Sequence, residues 1–104
     1  MKYGLEEEVV HQINNVFANY EKVTSAILYG SRAKGTFHSG SDIDLALQGQ
    51  GLRFQDVLQI KLKLEELNLP YETDVCILKQ VNNQQLVDHI QRVGVVFYGE
   101  EASF

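Results

Sequence analysis

The chain has 104 residues, 44% of them hydrophobic, and a formal net charge of -5 at pH 7. This length suits one compact core, so we expect a single domain over residues 1–104. The acidic balance excludes extended nucleic-acid binding, which needs a basic stripe that contacts many phosphates.

The N-terminal segment and the cysteine content indicate where the protein resides. Residues 1–10, MKYGLEEEVV, are acidic where a signal peptide would be basic and then apolar, and the only cysteine, Cys76, has no intrachain partner for a disulfide. Apolar runs such as residues 95–98 are far shorter than the ~20 residues that cross a bilayer. We therefore expect a cytoplasmic protein with no membrane role.

The first half of the chain predicts a helix and two strands. Apolar residues between Leu5 and Tyr20 recur every three or four positions, which is typical of an amphipathic helix. Residues 23–29 are apolar and β-branched and stop at Gly30, which predicts a buried strand leading into a glycine turn. Residues 30–41 show no hydrophobic period, and residues 42–47 resume a strand pattern.

A second helix is predicted over about residues 53–67, with an apolar stripe of Phe54, Val57, Leu58 and Leu62. Asn68 and Pro70 end it, because the residue before a proline disfavours helical geometry. Three further apolar residues lie outside that stripe: Leu64, Leu67 and Leu69. We expect them to extend the core, although a protein partner that covers them is an alternative.

The last third of the chain predicts a strand, a helix and a strand. Residues 72–78 alternate between polar and apolar, Leu86, Ile90 and Val93 mark a third helix closed by Gly94, and residues 95–98 form a short strand. Together the elements predict an α/β (α+β) fold, a small mixed β-sheet with helices packed on it.

Two aspartates of the second strand carry the strongest chemical signal. Asp42 and Asp44 are two residues apart, so they point to one face of the strand while Ile43 and Leu45 point into the core. Paired carboxylates repel one another unless a cation joins them, and Mg²⁺ prefers such oxygen ligands. Asp74 interrupts the next core strand and completes a three-carboxylate site if the two strands are neighbours. Such a site holds two metals ~3.5–4 Å apart.

The glycine turn supplies the phosphate half of this site. Gly30 lets the backbone approach a phosphate, and Ser31 offers either a hydroxyl or the free N–H groups of a helix N-terminus. Arg32 and Lys34 add positive charge, and Arg32 is suited to a bidentate phosphate contact.

Three histidines and the cysteine are set aside. His38 is expected to be solvated in its loop, and His11 and His89 to be surface or boundary residues, because none has a second ligand at metal-binding spacing. Cys76 shares a strand face with Asp74, but between Val75 and Ile77 it is expected to act as a small buried hydrophobe.

The segment GSRAKG at residues 30–35, followed by SDIDL at residues 41–45, resembles the signature of the DNA polymerase beta-like nucleotidyltransferase superfamily. Ten residues lie between Ser31 and Asp42, which also fits, and the resemblance covers residues 23–77. In size the chain looks like the minimal nucleotidyltransferase (MNT) branch. Lys34 stands where Arg is common, and Thr73 replaces a hydrophobic residue before the third carboxylate.

The resemblance implies a fold and a set of roles. The fold is that of polymerase beta-like nucleotidyltransferases, Gly30 and Ser31 bind the triphosphate, and Asp42 and Asp44 bind two Mg²⁺ ions, for which Mn²⁺ substitutes. Asp74 completes the catalytic metal site and helps to deprotonate the acceptor hydroxyl.

The resemblance also implies a reaction and a partner. The expected reaction transfers AMP from ATP to a hydroxyl on a partner protein, a small helical HEPN-type toxin, as in type VII-like MNT/HEPN toxin–antitoxin pairs. Two alternatives stay open: an antitoxin that binds nucleotide without catalysis and acts by complex formation, and a small-molecule transferase of the aminoglycoside-modifying kind.

Overall fold

Strands and helices alternate along the chain, because the hydrophobic period switches repeatedly between two and about 3.6 residues. The computed structural model describes residues 1–100. Their elements are α1 (Glu7–Ala18), β1 (Ser25–Tyr29), α2 (Gly30–Lys34), β2 (Ile43–Gln48), α3 (Phe54–Glu65), β3 (Thr73–Ile77), a 3₁₀ turn (Leu78–Gln80), α4 (Gln84–Val93) and β4 (Val95–Gly99).

The strands of residues 1–100 form one mixed sheet in the order β3-β2-β1-β4. β1 runs antiparallel to both β2 and β4, whereas β2 and β3 are parallel. A parallel pair needs a crossover connection, and α3 supplies it between β2 and β3. The mixed sheet with packed helices that the sequence predicts is confirmed.

Alternation along the strands divides the buried side chains between the two faces of the sheet. The core face packs against α1 and α3, and its strand residues are Ala26, Leu28, Ile43, Leu45, Leu47, Val75, Ile77 and Phe97. On the opposite face, which we call the α4 face, Ile27, Tyr29 and Ala46 pack against Ile90 of α4. Asp44 lies between Ile43 and Leu45 in sequence, so its side chain is on the α4 face.

The stripe predicted for α3 is wrong in three of its four residues. Phe54, Leu58 and Leu62 are exposed, whereas Val57 is buried together with Ile60 and Leu64. Both sets of residues are spaced as one helix face requires, so periodicity alone did not distinguish them. Contact with the sheet and α1 selects the second set.

The three leucines placed outside that stripe belong to the core. Leu64 is 2% exposed, and Leu67 and Leu69 pack partly buried against the core cluster. Helix α3 ends at Glu65 rather than near residue 67, because Leu67 and Asn68 already form the following turn and Asn68 adopts a left-handed φ of 53°. The extra-core interpretation is therefore confirmed.

Residues 30–34 form the short helix α2 inside the region that the sequence left without a regular element. Five residues are too few to show a hydrophobic period, which explains the omission. Within residues 1–100, no helix has the length and apolar character that a membrane crossing requires.

The assignment of the buried face of α3 predicts a contrast between two leucines. We expect Leu64→Ala to lower the free energy of unfolding by about 2–5 kcal/mol, because it leaves a cavity in the core. Leu62→Ala, the same exchange two residues away on an exposed position, should change it by less than about 0.5 kcal/mol. Urea unfolding of both variants measures this. A larger loss for Leu62→Ala than for Leu64→Ala would mean that the other face of α3 is the buried one.

Candidate functional site

Three aspartates lie together at one end of the sheet. In the parallel β2–β3 pair, Asp44 is directly opposite Asp74, and both side chains are on the α4 face. Asp42 precedes β2 by one residue and follows the same alternation as Asp44. Asp42 and Asp74 are exposed, whereas Asp44 is half-buried. The condition set by the sequence, that the strands of Asp44 and Asp74 are neighbours, is met.

The electrostatics of Asp44 shows that the three carboxylates interact. Burial raises the pKa of Asp44, and the negative charges of Asp74 and then Asp42 raise it further. Each of these causes disfavours the ionised form. A folded chain that holds these anions without a cation is therefore destabilised by them at neutral pH.

The donor set fits a hard divalent cation in its chemistry, since carboxylate oxygens are the ligands that Mg²⁺ prefers. Among residues 1–100, however, no three His, Cys, Asp or Glu side chains converge closely enough to enclose an ion. The strand register already aligns the backbones of Asp44 and Asp74. Enclosing an ion therefore calls for side-chain rotation rather than for a change of fold.

The glycine turn is in contact with this cluster. Gly30 follows β1 directly and has a φ of 74°, a left-handed value that favours glycine. A Cβ at this position would collide with the carboxylate of Asp44. Ser31 is half-buried at the start of α2, and its carbonyl accepts hydrogen bonds from the amides of Gly35 and Thr36. The structure thus brings Gly30 against Asp44, and Ser31 follows Gly30 in α2.

His89 of α4 also belongs to this region, although the sequence analysis set it aside. The backbone amide of Gly30 donates a hydrogen bond of 3.0 Å to Nε2 of His89. The imidazole is half-buried and packs edge-on against Tyr29, with ring centroids 6.2 Å apart. Fifty-nine positions separate Gly30 from His89, so no local pattern in the sequence pointed to this contact.

Arg32 does not join the phosphate turn. It is 1% exposed, and its guanidinium donates to three backbone carbonyls: Ser41 at 2.9 and 3.1 Å, Tyr3 at 2.9 Å and Ser39 at 3.4 Å. The guanidinium carbon lies 5.3 Å from the ring centre of Phe37 and 4.8 Å from that of Tyr71. The sequence placed Arg32 on phosphate, whereas the structure places it in an interior socket, because its donors are used by the backbone.

This socket positions the loop that leads into β2. The carbonyl of Ser41 receives two of the Arg32 hydrogen bonds, and the hydroxyl of Ser41 accepts one from the amide of His38. Nδ1 of His38 in turn accepts a hydrogen bond from the amide of Gly40. Since Asp42 follows Ser41, Arg32 connects the helix of the glycine turn to the residue before the first carboxylate.

Cys76 and Tyr29 occupy the α4 face beside the carboxylates: Tyr29 is directly opposite Asp44 in the β1–β2 register, and Cys76 lies two residues beyond Asp74 on β3. Cys76 is half-buried, its sulfur lies 3.6 Å from the hydroxyl of Tyr29, and burial raises the pKa of its thiol. Burial also raises the pKa of Tyr29, with the contact to Cys76 as the next cause. Neither group is activated as a nucleophile, which agrees with the prediction of a small hydrophobic role for Cys76.

A cavity of about 760 Å³ lies at the opposite end of the sheet. Its lining includes Ser25, Gln48 and Lys79, at the start of β1 and beyond the end of β3. Gln48 lies four positions beyond Asp44 along β2, a distance of roughly 13 Å. The cavity is therefore distinct from the carboxylate cluster, and none of the residues predicted to bind metal or phosphate lines it.

The chain matches a known protein family and is similar to several solved structures. The family described as "Polymerase beta, Nucleotidyltransferase" matches residues 11–103. A solved toxin–antitoxin structure with AMP-PNP is 23% identical, with a TM-score of 0.70, and the match covers 93% of this chain and 76% of that one. A tri-AMPylated Shewanella oneidensis HEPN toxin in complex with MNT antitoxin is 18% identical, with a TM-score of 0.68 and coverages of 92% and 74%.

A third structure, the toxin–antitoxin MntA-HepT, is 18% identical with a TM-score of 0.67, and the match covers 91% of this chain and 74% of that one. At these identities the structural likeness shows the fold alone. A search of curated proteins gives no match.

The socket predicts that Arg32 stabilises the fold. We expect Arg32→Lys to lower the free energy of unfolding by roughly 2–4 kcal/mol, because one ammonium group cannot serve three carbonyls in the geometry of a guanidinium. Arg92→Lys, the same exchange at an exposed position of α4, is the control and should be nearly neutral. Denaturant unfolding compares them. An Arg32→Lys protein as stable as the control would show that the socket contributes nothing.

The opposite pKa shifts of two aspartates predict opposite effects of pH on stability. The raised pKa of Asp44 means that its ionisation costs stability as the pH rises through the folded-state pKa. The pKa of Asp56 is lowered, first by the amide of Arg53 and also by Lys22, so its ionised form stabilises the fold and that contribution is lost in acid. With chelator at about pH 7, Asp44→Asn should therefore melt above the wild type and Asp56→Asn below it.

The Asp44 difference should shrink as the pH falls toward the ordinary aspartate pKa of about 4, whereas the Asp56 difference should be lost only below about pH 4, because the pKa of Asp56 is lowered in the fold. Thermal melts across this range, all with chelator present, measure the two curves. If Asp44→Asn melted below the wild type at neutral pH, the carboxylate cluster would not be a source of repulsion.

Proposed function

The chain belongs to the polymerase beta nucleotidyltransferase family, and from this premise we propose that it transfers AMP from ATP to a hydroxyl group of a partner protein. One observation carries the proposal. The strand register sets Asp44 beside Asp74, with Asp42 two residues away and the turn at Gly30 in contact with Asp44. Carboxylates bind the cation of a nucleoside triphosphate, and a glycine turn binds its phosphates. Here the two lie side by side.

The proposed reaction is an in-line displacement at the α-phosphate. The acceptor oxygen forms a bond to the α-phosphorus, the bond from that phosphorus to the bridging oxygen breaks, and pyrophosphate leaves. Asp74 is exposed at the edge of the cluster and is suited to take the proton of the hydroxyl. Gly30 and Ser31 hold the triphosphate at the start of α2.

Asp42, Asp44 and Asp74 would hold the divalent cations, two Mg²⁺ ions or Mn²⁺ in their place. When bound, the cations neutralise the charge of the phosphates and of the leaving pyrophosphate. The protein contributes the positions of the reacting groups and the charges of the cluster, and positioning and charge neutralisation are the main source of catalysis in phosphoryl transfer. The repulsion within the cluster favours uptake of a cation.

The proposed partner is a small helical protein of the HEPN type. The solved structures with a similar fold include a complex between a tri-AMPylated HEPN toxin and an MNT antitoxin, and a toxin–antitoxin with AMP-PNP. The exposed apolar residues of α3, at 68% for Phe54, 46% for Leu58 and 61% for Leu62, agree with a protein partner, since such clusters mark interaction surfaces. A cytoplasmic location accords with such a pair.

Transfer is tested by incubating the protein with labelled ATP, Mg²⁺ and the product of the neighbouring gene, followed by mass spectrometry of both proteins. We expect the neighbour to gain AMP on a hydroxyl side chain, and chelator to abolish the gain. Asp44→Asn should reduce the rate by about 100-fold or more, the scale of losing one charge-stabilising group. Asp88→Asn, on an exposed carboxylate of α4, is the matched control and should leave the rate unchanged.

The same experiment separates the alternatives. A stable complex without any transfer would identify an antitoxin that acts by complex formation alone. AMP transfer to an aminoglycoside, with no modification of the neighbour, would identify a small-molecule transferase. Transfer that persists in chelator would show that the carboxylates do not act through a divalent cation.

A further inference from the structure

Besides Asp44, the histidine on α4, His89, contacts the proposed nucleotide turn from outside it. We propose that His89 is a positioning residue, which holds the peptide of Gly30 in the orientation that receives the triphosphate. This inference rests on the proposed function, because it concerns the same turn. It assigns His89 no contact with the reacting atoms.

The direction of the hydrogen bond from Gly30 determines which ring nitrogen of His89 carries the hydrogen. Because Nε2 of His89 accepts from the Gly30 amide at 3.0 Å, that nitrogen carries no proton and the ring is the Nδ1–H tautomer. The edge-on contact with Tyr29, at an interplanar angle of 82°, holds the ring plane. The neighbouring Ile90 is 0% exposed, so the helix that carries His89 is anchored on the sheet.

The orientation of the Gly30 peptide determines how the chain passes from β1 into α2. The left-handed φ of 74° at Gly30 directs the chain from β1 into α2, and Asp44 occupies the space on one side of its Cα. Rotation of the peptide between Tyr29 and Gly30 would redirect the amide of Gly30 and the start of α2 together. The carboxylate thus limits the space at the Cα of Gly30, and the imidazole fixes the direction of its amide.

A purely structural role for His89 would be served by any side chain that fills its volume, whereas the proposed role needs an acceptor at the position of Nε2. Glutamine can place its side-chain oxygen near that position, and leucine fills similar space without an acceptor. The comparison of His89→Gln with His89→Leu therefore isolates the hydrogen bond. His11→Leu, on an exposed histidine of α1, controls for loss of a histidine elsewhere.

The first measurement is amide hydrogen exchange at Gly30 in nucleotide-free protein. We expect His89→Leu to accelerate exchange at Gly30 by about tenfold, while His89→Gln and His11→Leu leave it near the wild-type rate; one lost hydrogen bond corresponds to about this factor. Melting temperatures of the variants, recorded alongside, show whether α4 remains folded. An unchanged rate at Gly30 in His89→Leu would overturn the inference, because the bond would then not protect the amide.

The second measurement is the affinity for ATP with Mg²⁺ by calorimetry. We expect His89→Leu to raise Kd about three- to tenfold, and His89→Gln to restore it to within about twofold of the wild type. Faster exchange at Gly30 with unchanged Kd, or equal Kd values for the Gln and Leu variants, would overturn the positioning role. If the wild type binds no ATP, the proposed function and the nucleotide part of this inference both fail, whereas exchange at Gly30 still reports whether the hydrogen bond exists.

Discussion

The arrangement of the site depends on the hydrogen bonds that the buried guanidinium of Arg32 donates to backbone carbonyls. Within residues 1–100 no carboxylate is in hydrogen-bonding contact with this buried group, and the carbonyls of Tyr3, Ser39 and Ser41 compensate its lost hydration together with two aromatic rings. Because Arg32 lies in α2 and Ser41 precedes Asp42, one side chain sets the distance between the glycine turn and the first carboxylate. The socket is tight enough that a Cβ at Gly4 would collide with Phe37 and approach Arg32. Fold and site are therefore linked at this residue.

A second constraint, the repulsion between neighbouring carboxylates, lowers the stability of the fold. The parallel register of β2 and β3 holds Asp44 against Asp74, where burial and mutual repulsion raise the pKa of Asp44. Such an arrangement lowers stability, and proteins retain conflicts of this kind mainly at functional sites. The hydrophobic contacts of Ile43, Leu45 and Val75 on the core face keep the register in place, since a one-residue slip of β2 would move Ile43 and Leu45 from the core face to the α4 face. The energy that holds the carboxylates together thus comes from the other side of the sheet.

The sequence predicts the four strands and every helix of ordinary length, but neither the short helix α2 nor the contacts between distant parts of the chain. The paired aspartates and the glycine turn were recognisable because alternation and local conformation fix their geometry. Periodicity failed at α3, where Phe54, Leu58 and Leu62 share one face and Val57, Ile60 and Leu64 another, and only the neighbouring sheet decides between them. Arginine suits phosphate and a carbonyl socket equally, so its place depended on Tyr3 and Tyr71, which are remote in sequence. The roles of the aspartates, Gly30 and Ser31 stay predictions.

Under the proposed function, the residues that bind the partner protein and the residues that carry out the transfer lie on opposite sides of the sheet. The apolar residues of α3 lie on the side of that helix that faces away from the core, and α3 packs on the core face of the sheet. The carboxylates lie on the α4 face, with the sheet between them and α3. A protein resting on the α3 residues would therefore leave Asp42 and Asp74 open. It follows that a partner bound there must reach around the edge of the sheet to be modified by the same chain, or else be modified by another copy. Because different residues serve the two properties, substitutions on α3 and in the carboxylate cluster can alter one without the other.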